Sequence, residues 1–524
     1  MELTRRRVLK GTGALAGLAL ASRAGLADAR GLLTDPLLEE VIGRALSAAK
    51  KAGATYADIR IVRRRTESIF TRDDHIANVE GNESYGLGVR VIADGAWGFS
   101  AASQVAPAAA ERAAQLAVEI ARANAPLLQR PVQLAPVKAV VDTWQTPLER
   151  NPFKISLAEK SDFLLTINGA LLKVPGIKHC FSSFQGLGEW KLFASSEGAH
   201  VEQDLIRIRP AYTATAIDAT SGEFESRNHD ISPIQAGWEY VAKSTMLADA
   251  PRIGEEAVQK LKSPSVTPGK KHLILAPSHL WLTIHESVGH PTELDRALGY
   301  EANFAGTSFL TVDKLSKFQF AAPHLSFYAD KTTPTGLATC GYDDDGVKTQ
   351  KWDVVRNGKF VGYQTTREQA GWINEPQSRG CSYAQDFRSF PFQRMPNVSL
   401  EPGSKDLGVK DLIAATDDGI LIHGEGSYSI DHQRYNFQFG GQMFYEVKGG
   451  KVTRSLRDVA YQASTPDFWK SCDMLGGARE WEMGGSFWDG KGEPGQVNAV
   501  SHGCPPARFA QINVLNTSRR KGRG

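Results

Sequence analysis

The segment 285–290 carries two histidines and a glutamate in the order His-Glu-x-x-x-His. Neutral imidazole nitrogens bind Zn²⁺, and a carboxylate beside one of them can take a proton from water at the metal. These residue types therefore indicate a hydrolytic metal site, with His285 and His290 as metal ligands and Glu286 as the general base. The alternative is a helix end that carries two ordinary polar histidines.

The spacing of the two histidines sets a condition on the backbone. Each residue of an α-helix turns about 100°, so side chains four apart lie within about 40° of each other and side chains five apart about 140° apart. His285 and His290 are five apart, so they can share one metal only if the helix ends or distorts between them. Gly289 relaxes the backbone and Pro291 disfavours α geometry at the residue before it, so both favour a distortion.

The sequence around this element resembles the TldD/PmbA family of metallopeptidases. Four segments resemble family motifs in the same order: 284–295, 341–346, 395–403, and 490–496 followed by 501–503. The resemblance extends from about residue 35 to the C-terminus. It implies a zinc peptidase that acts on unfolded or short peptides, with one zinc per chain held by His285 and His290 and with Glu286 as the base. It also implies a homodimer, or a heterodimer with a paralogue.

The third metal ligand departs from the family pattern. TldD-type members have a cysteine just before the 490–496 motif, and this sequence has Asp489 there. Aspartate binds zinc but is a harder ligand than a thiolate, so it widens the choice of metal. We rank Asp489 first, then Cys504, then Cys472. The alternative for Asp489 is a turn residue, because Asp-Gly is a common turn pair.

Two carboxylates follow the metal motif. Glu293 and Asp295 could orient the ligand histidines by hydrogen bonding, or they could be ordinary surface carboxylates.

Two other groups of residues are weaker candidates. The acidic run 343–345 lacks the alternating ligands of a calcium loop, so it favours a plain acidic turn. The remaining candidates are possible contacts for peptide or for an oxyanion: His423, Tyr428, His432, Arg434 and Tyr435.

Two alternative functions remain open at this point. The first is a catalytically silent peptide-binding or maturation partner of an active paralogue, which the missing cysteine favours. Silent partners in the family generally lack the His-Glu element, whereas this chain has it. The second is a metal-dependent hydrolase that acts on a substrate other than a peptide.

The N-terminus has the features of a twin-arginine export signal in residues 1–27. Arg5, Arg6 and Arg7 precede a mildly apolar, Gly-rich run of about a dozen residues, too short to span a bilayer, which takes about 20. Cleavage is expected after Ala27, or alternatively Ala29, and the mature protein is expected in the periplasm or otherwise exported. The alternative is a disordered basic arm. No later stretch has the length and apolarity of a transmembrane helix.

Charge and cysteine content give no support to two classes of protein, nucleic-acid binders and disulfide-rich scaffolds. The whole chain has 61 basic and 58 acidic residues, and removal of residues 1–27 leaves 56 against 57, a net charge of about −1. This balance does not call for nucleic acid. The five cysteines are odd in number and widely spaced, with no CxxC pair, so they do not form a disulfide framework.

The remaining pattern predicts an α+β fold in two parts. Residues 34–262 form a region of largely antiparallel strands, with separate strands at 56–62 and 67–72 and with helices at 37–52, 106–123 and 236–248. Residues 264–516 form a β-rich metallopeptidase domain. This domain begins with a strand at 272–277 and a helix, capped by Ser278, that leads into the His-Glu element. Residues 517–524 are a basic tail.

Overall fold

The computed structural model describes residues 35–518. The predicted export signal of residues 1–27 lies outside this range, as do the last six residues of the predicted basic tail. Within the described range no helix is both long and apolar enough to cross a membrane. The predicted α+β class is confirmed, with antiparallel pairing in most of the sheets.

The N-terminal half is built on one seven-stranded sheet with the order β3-β2-β1-β5-β6-β4, and β7 pairs with β6. All neighbours are antiparallel except β4 and β6. The elements are α1 Pro36–Lys51, β1 Tyr56–Arg72, β2 His75–Ala93, β3 Ala96–Ala102, α2 Pro107–Asn124, β4 Val141–Gln145, α3 Leu157–Leu171, β5 Ile177–Ser195, β6 His200–Ile217, β7 Phe224–Asn228, α4 Trp238–Ala242 and α5 Met246–Lys262.

The first helix forms as its sequence predicts. Asp35 caps it by accepting a hydrogen bond from the Leu37 N–H, and Pro36 occupies the first turn, where its missing donor costs little. The buried positions Leu38, Val41 and Ala45 repeat at helical spacing and face the sheet. The Ala-rich helix α2 packs beside α1 over the same sheet.

Two predictions for this half need correction. The segments 56–62 and 67–72 are parts of the single strand β1, because it pairs along its whole length with β2 and β5. The predicted helix at 236–248 is two helices, α4 and α5, with a break at 243–245. Helix α5 then continues to Lys262, because Met246, Ala250, Ile253 and Ala257 form a buried stripe along one side.

The C-terminal half contains a closed ring of strands. Strands β15, β8, β22, β18 and β16 are neighbours in that order, and the pairing of β15 with β16 closes the ring. The elements are β8 Gly269–Leu275, α6 Pro277–Ile284, α7 Leu294–Ala297, β9 Phe327–Asp330, β10 Lys351–Arg356, β11 Lys359–Phe360, α8 Arg367–Ala370, β12 Ser382–Tyr383, β13 Phe392–Gln393, β14 Asn397–Leu400, α9 Val409–Ala414, β15 Asp418–Ile430, β16 Asn436–Lys448, β17 Lys451–Leu456, β18 Val459–Ser464, α10 Thr465–Lys470, β19 Cys472–Leu475, β20 Glu482–Lys491, β21 Gln496–Cys504 and β22 Ala507–Asn516.

Three segments of this half meet beside the ring. Strand β8 leads directly into α6, which leads into the His-Glu element, and the hairpin β20–β21 packs against α6. The predicted Ser278 cap is wrong, because Ala276 occupies the cap position and the Ser278 hydroxyl accepts a hydrogen bond from Gly424 N–H. The hydroxyl thus connects α6 to Gly424 of strand β15.

Buried ion pairs join the two halves through the acidic run 343–345. Asp344 accepts from the Lys191 ammonium at 2.8 Å, and Asp345 accepts from Arg90 at 2.7 Å. Asp343 accepts from the backbone N–H groups of Asp345, Val347 and Ser382. These protein partners occupy the carboxylates, as expected for a structural acidic turn.

Candidate metal centre

A π-helical turn brings together His285 and His290, which are five residues apart. The α-helix α6 ends at Ile284, and residues His285–Gly289 form a π turn in which the N–H of His290 donates to the carbonyl of His285. A π turn is wider than an α turn, so residues five apart return to the same side. The ring centroids of His285 and His290 are accordingly 4.6 Å apart.

The predicted distortion is present, but its predicted causes are not. Gly289 has an ordinary helical φ of −58°, and His290 keeps helical geometry before Pro291, which is the second residue of a short 3₁₀ turn, His290–Thr292. The missing side chain of Gly289 matters for packing instead, because a Cβ there would lie 2.5 Å from the sulfur of Met395. Gly289 therefore lets the π turn approach the segment 395–403.

Asp489 lies opposite the two histidines. Its Oδ1 is 3.6 Å from His285 Nε2 and 3.7 Å from His290 Nε2, and all three side chains are buried. It is carried by β20, in the hairpin that packs on α6. Arg394 contacts its other oxygen, Oδ2, at 3.1 Å and holds the carboxylate in place.

The thiols ranked after Asp489 are elsewhere. Cys504 Sγ contacts the carbonyl of Pro277 at 3.8 Å, and Cys472 Sγ contacts the carbonyl of Met474 at 3.6 Å. Burial raises the pKa of both thiols, which disfavours the thiolate form that binds metals. Among residues 35–518 the group of His, Cys, Asp and Glu side chains close enough to share a metal is His285, His290 and Asp489.

Hydrogen bonds fix which nitrogen of His285 faces the carboxylate. His502 Nδ1 lies 2.8 Å from the carbonyl of Val398, an acceptor, so this nitrogen carries the hydrogen and Nε2 accepts. His502 Nε2 lies 2.8 Å from His285 Nδ1, which therefore donates. In the neutral form of His285, its Nε2 lone pair is therefore left facing Asp489. Sequence reasoning missed this role of His502, although the residue lies in the last family-like motif.

The second histidine is oriented in the same way by a carboxylate. His290 Nδ1 lies 2.9 Å from Glu293 Oε2, so it donates there and its Nε2 faces Asp489. Glu293 also accepts from Arg296 at 2.9 Å and from Lys491 at 3.1 Å. Lys491 is fully buried and donates to Asp295 at 2.9 Å. Glu293 thus hydrogen-bonds directly to His290, whereas Asp295 is connected to His290 only through Lys491 and Glu293.

The electrostatics favour a neutral His290 and a charged Asp489. Burial, followed by the charges of Arg434 and Arg296, lowers the pKa of His290 to about 4. Burial opposes ionisation of Asp489, but the adjacent His285 and His290 imidazoles and the Arg394 guanidinium outweigh it and lower the pKa of Asp489. Burial also opposes the charge of His285, yet the contact with Asp489 raises its pKa.

The donor set fits a catalytic zinc ion. Two imidazole nitrogens and one carboxylate oxygen, with room for a further ligand, are typical of catalytic rather than structural zinc sites. Ligand atoms at about 2.0–2.2 Å from zinc in a tetrahedron are about 3.3–3.6 Å apart. The distances of 3.6 and 3.7 Å from Asp489 Oδ1 to the two Nε2 atoms are close to that spacing. Both histidines are also supported by hydrogen bonds at Nδ1, as ligand histidines usually are.

The three side chains open into a cavity of about 510 Å³. Glu286 lines the same cavity and forms an ion pair with Arg434, which lies in the turn between β15 and β16. Of the weaker sequence candidates, Arg434 and Tyr428 line this cavity, whereas His423, His432 and Tyr435 do not. The arrangement brings a carboxylate base and a cation beside a potential metal site.

The hydrogen bond to His502 should strengthen metal binding. Replacing His502 with Phe keeps a flat ring stacked on Trp281 but removes the acceptor for His285 Nδ1. We expect the metal affinity to fall about 10- to 100-fold, measured by competition with a chromogenic chelator. His279→Phe is the matched control, because this buried histidine bonds to Gly424 and Tyr461 instead. Equal affinities in all three proteins would contradict the orienting role.

Models of three protein-family domains match the chain in succession. The PmbA/TldA metallopeptidase domain 1 matches residues 57–121, and the PmbA/TldA metallopeptidase central domain matches residues 150–263. The PmbA/TldA metallopeptidase C-terminal domain matches residues 268–516. The first two matches fall on the seven-stranded sheet and its helices, and the third contains the candidate metal centre.

Relatives that align over nearly their whole length are named as metalloproteases. A metalloprotease from Methanothermobacter thermautotrophicus is 26% identical over 463 residues, 88% of this chain and 96% of the relative. A zinc metalloprotease TldD homolog from Saccharolobus solfataricus is 23% identical over 480 residues, 90% of this chain and 98% of the relative. The similarity therefore covers both halves of the chain.

Solved structures share the fold. A putative modulator of a DNA gyrase from Thermotoga maritima superposes with a TM-score of 0.70 at 18% identity, over 91% of this chain and all of that one (100%). TldE from Thermococcus kodakarensis gives a TM-score of 0.66 at 17% identity, over 90% and 99% of the two chains. At these identities the likeness establishes the architecture only.

Proposed function

This chain belongs to the PmbA/TldD metallopeptidase family, and we propose that it is a zinc-dependent peptidase acting on short or unfolded peptides. The observation that carries the proposal is the meeting of His285, His290 and Asp489 in one cavity with Glu286. Relatives named as metalloproteases support the same activity. In this proposal His285, His290 and Asp489 hold the metal.

The reaction assigns one role to each side chain. Zinc, when bound, polarises a carbonyl and lowers the pKa of water. Glu286 accepts a proton as an O–H bond of the attacking water breaks and its oxygen bonds to the carbonyl carbon. The carbonyl oxygen gains the negative charge. When the C–N bond breaks, the carbonyl re-forms and the proton passes from Glu286 to the leaving nitrogen.

The cavities around the site support an extended peptide as the substrate. Trp281, Ser486 and Trp488 line both the metal cavity and a neighbouring cavity of about 340 Å³. Phe304 lines both the metal cavity and a second neighbouring cavity of about 1220 Å³. A peptide bound at the metal could therefore extend into a neighbouring cavity. The ligands themselves are nearly buried, so a folded protein surface would not reach them.

Removing the metal should abolish the activity. We expect a strong chelator to stop cleavage of an unstructured peptide by the mature chain, and added Zn²⁺ to restore it, because carbonyl activation depends on the ion. Cleavage is followed by mass spectrometry, and metal content by atomic emission. Activity that persists in metal-free protein would contradict the proposal. Full metal content without cleavage would favour the silent-partner alternative.

Export of this peptidase is a further part of the proposal. Its support is the pattern of residues 1–27, where three consecutive arginines precede an apolar run. N-terminal sequencing of the secreted protein tests it, with Asp28 or Arg30 as the expected first residue. A protein that keeps its N-terminus in the cytoplasm would contradict export but would leave the peptidase assignment intact.

A further inference from the structure

Arg434 is a cationic side chain that lines the metal cavity and takes no part in the hydrolytic steps described above. Its guanidinium Nη1 donates to Glu286 Oε2, and its Nη2 lies 3.4 Å from the carbonyl of Ala305. The side chain is 13% exposed, and that of Glu286 is 5% exposed. An ion pair this well shielded from water is costly to assemble. Its formation by the expected base therefore indicates a functional role for Arg434.

The backbone holds Arg434 in an unusual conformation. Its φ is +62°, in the left-handed region that non-glycine residues seldom adopt. The Arg434 N–H donates to the carbonyl of Asp431 at 2.9 Å, and Thr465 Oγ1 donates to the carbonyl of Arg434 at 2.8 Å. The Asp431 carboxylate also accepts from the Tyr435 N–H. The turn between β15 and β16 is therefore built to aim this side chain into the cavity, and such backbone outliers concentrate at functional sites.

Part of the guanidinium is left without a partner. Arg434 Nε is buried and has no hydrogen-bond acceptor among the described residues. A buried N–H donor without an acceptor is unfavourable. Nε itself is shielded, but the side chain is 13% exposed and lines the cavity together with Glu286 and Asp489, so the exposed part of the guanidinium could donate a hydrogen bond to an oxygen atom of a substrate bound there.

We propose that Arg434 is a catalytic residue that stabilises the negative charge developing on the scissile carbonyl oxygen. The inference rests on the proposed function. In the resting site Arg434 neutralises the Glu286 carboxylate. During attack Glu286 becomes neutral by taking a proton, and the negative charge moves to the carbonyl oxygen of the substrate. Arg434 is then beside an anion at each stage, and it is preorganised for the charge that the transition state creates.

A different role would be to bind the terminal carboxylate of a peptide, as in an exopeptidase. Arginine binds carboxylates well, but such binding would place a second carboxylate beside Glu286 while that residue is still charged. The two neighbouring cavities described above also leave space for the peptide to continue beyond the metal cavity. The structure therefore favours the oxyanion role, and the two roles differ in the kinetic parameter that they affect.

The test uses the metal-loaded enzyme and an unstructured peptide blocked at both ends. We expect Arg434→Met to lower kcat about 100- to 1000-fold, with KM changed by less than about threefold and with metal content unchanged. Arg434→Lys should recover part of kcat, since it keeps the positive charge. Free guanidinium ion should partly restore Arg434→Ala. Arg454→Met is the matched control, because it removes an exposed Arg–Glu pair on the neighbouring strands.

A transition-state mimic separates catalysis from folding. Across wild type, Arg434→Lys and Arg434→Met, affinity for a phosphinic peptide, measured by calorimetry, should fall in parallel with kcat/KM, because such an analogue carries an anionic tetrahedral centre. Unchanged kcat in Arg434→Met would overturn the inference. So would an effect on KM alone, or an effect confined to peptides with a free C-terminus. A metal-loaded wild type that cleaves no peptide would instead overturn the proposed function itself.

Discussion

Replacing Glu286 with Gln should remove peptide hydrolysis while leaving the metal in place. Glutamine has nearly the same shape but cannot accept a proton at neutral pH, so the loss of general-base catalysis should lower kcat by about 10²- to 10⁴-fold. Glu286 is not among the three side chains close enough to share an ion, so metal content should match wild type. Both quantities are measured on the same preparation, by peptide cleavage and by atomic emission.

The control for this substitution is Glu446→Gln on β16. Glu446 forms an ion pair with Arg454 of the neighbouring strand β17. Its replacement should leave hydrolysis unchanged. If Glu286→Gln keeps wild-type activity, the base is another group. If it loses both activity and metal, Glu286 supports the metal site rather than the proton transfer.

Replacing Asp489 with Ala should empty the metal site. Of the three donors, Asp489 supplies the only negative charge, and it also separates the two imidazoles from Arg394. Its removal leaves two neutral ligands beside a buried cation, so metal affinity should fall by more than the 10- to 100-fold expected for a supporting hydrogen bond. Metal content after gel filtration, together with competition by a chelator, measures the change.

Cysteine substitutions distinguish Asp489 from the alternative ligands. Cys504→Ser and Cys472→Ser should retain metal, because both thiols contact backbone carbonyls away from the histidines. Asp489→Cys should retain metal with increased preference for zinc, since thiolates are softer ligands than carboxylates. Loss of metal in Cys504→Ser, with retention in Asp489→Ala, would reverse the assignment of the third ligand.

The chemistry of the site was more accessible from sequence than its geometry. The His-Glu element and the position of Asp489 could be found because the residue types and motif order carry that information. The π turn could not, because it depends on how the 285–290 backbone packs against Met395 and the β20–β21 hairpin. His502 was missed for the same reason, since it is 217 positions from the His285 that it contacts.

Element boundaries show the same division between local and distant effects. Helix α1 could be predicted closely, because its cap, proline and apolar stripe are all local. The break between α4 and α5 and the unbroken length of β1 follow from contacts with other strands and helices. The closed ring of strands also depends on pairings between distant segments, such as β8 with β22, which periodicity alone does not specify.

The position of Asp489, the proposed third ligand, would link metal binding to folding of the C-terminal half. Asp489 follows His290 by about 200 residues in the chain, and most of the ring of strands lies between them. In an unfolded chain, bringing these donors together carries a loop-closure penalty that the folded hairpin has already overcome. A cation bound there would stabilise the folded state by about 4 kcal/mol when the free metal concentration is a thousand times Kd. Metal availability would then regulate the lifetime of the protein as well as its activity.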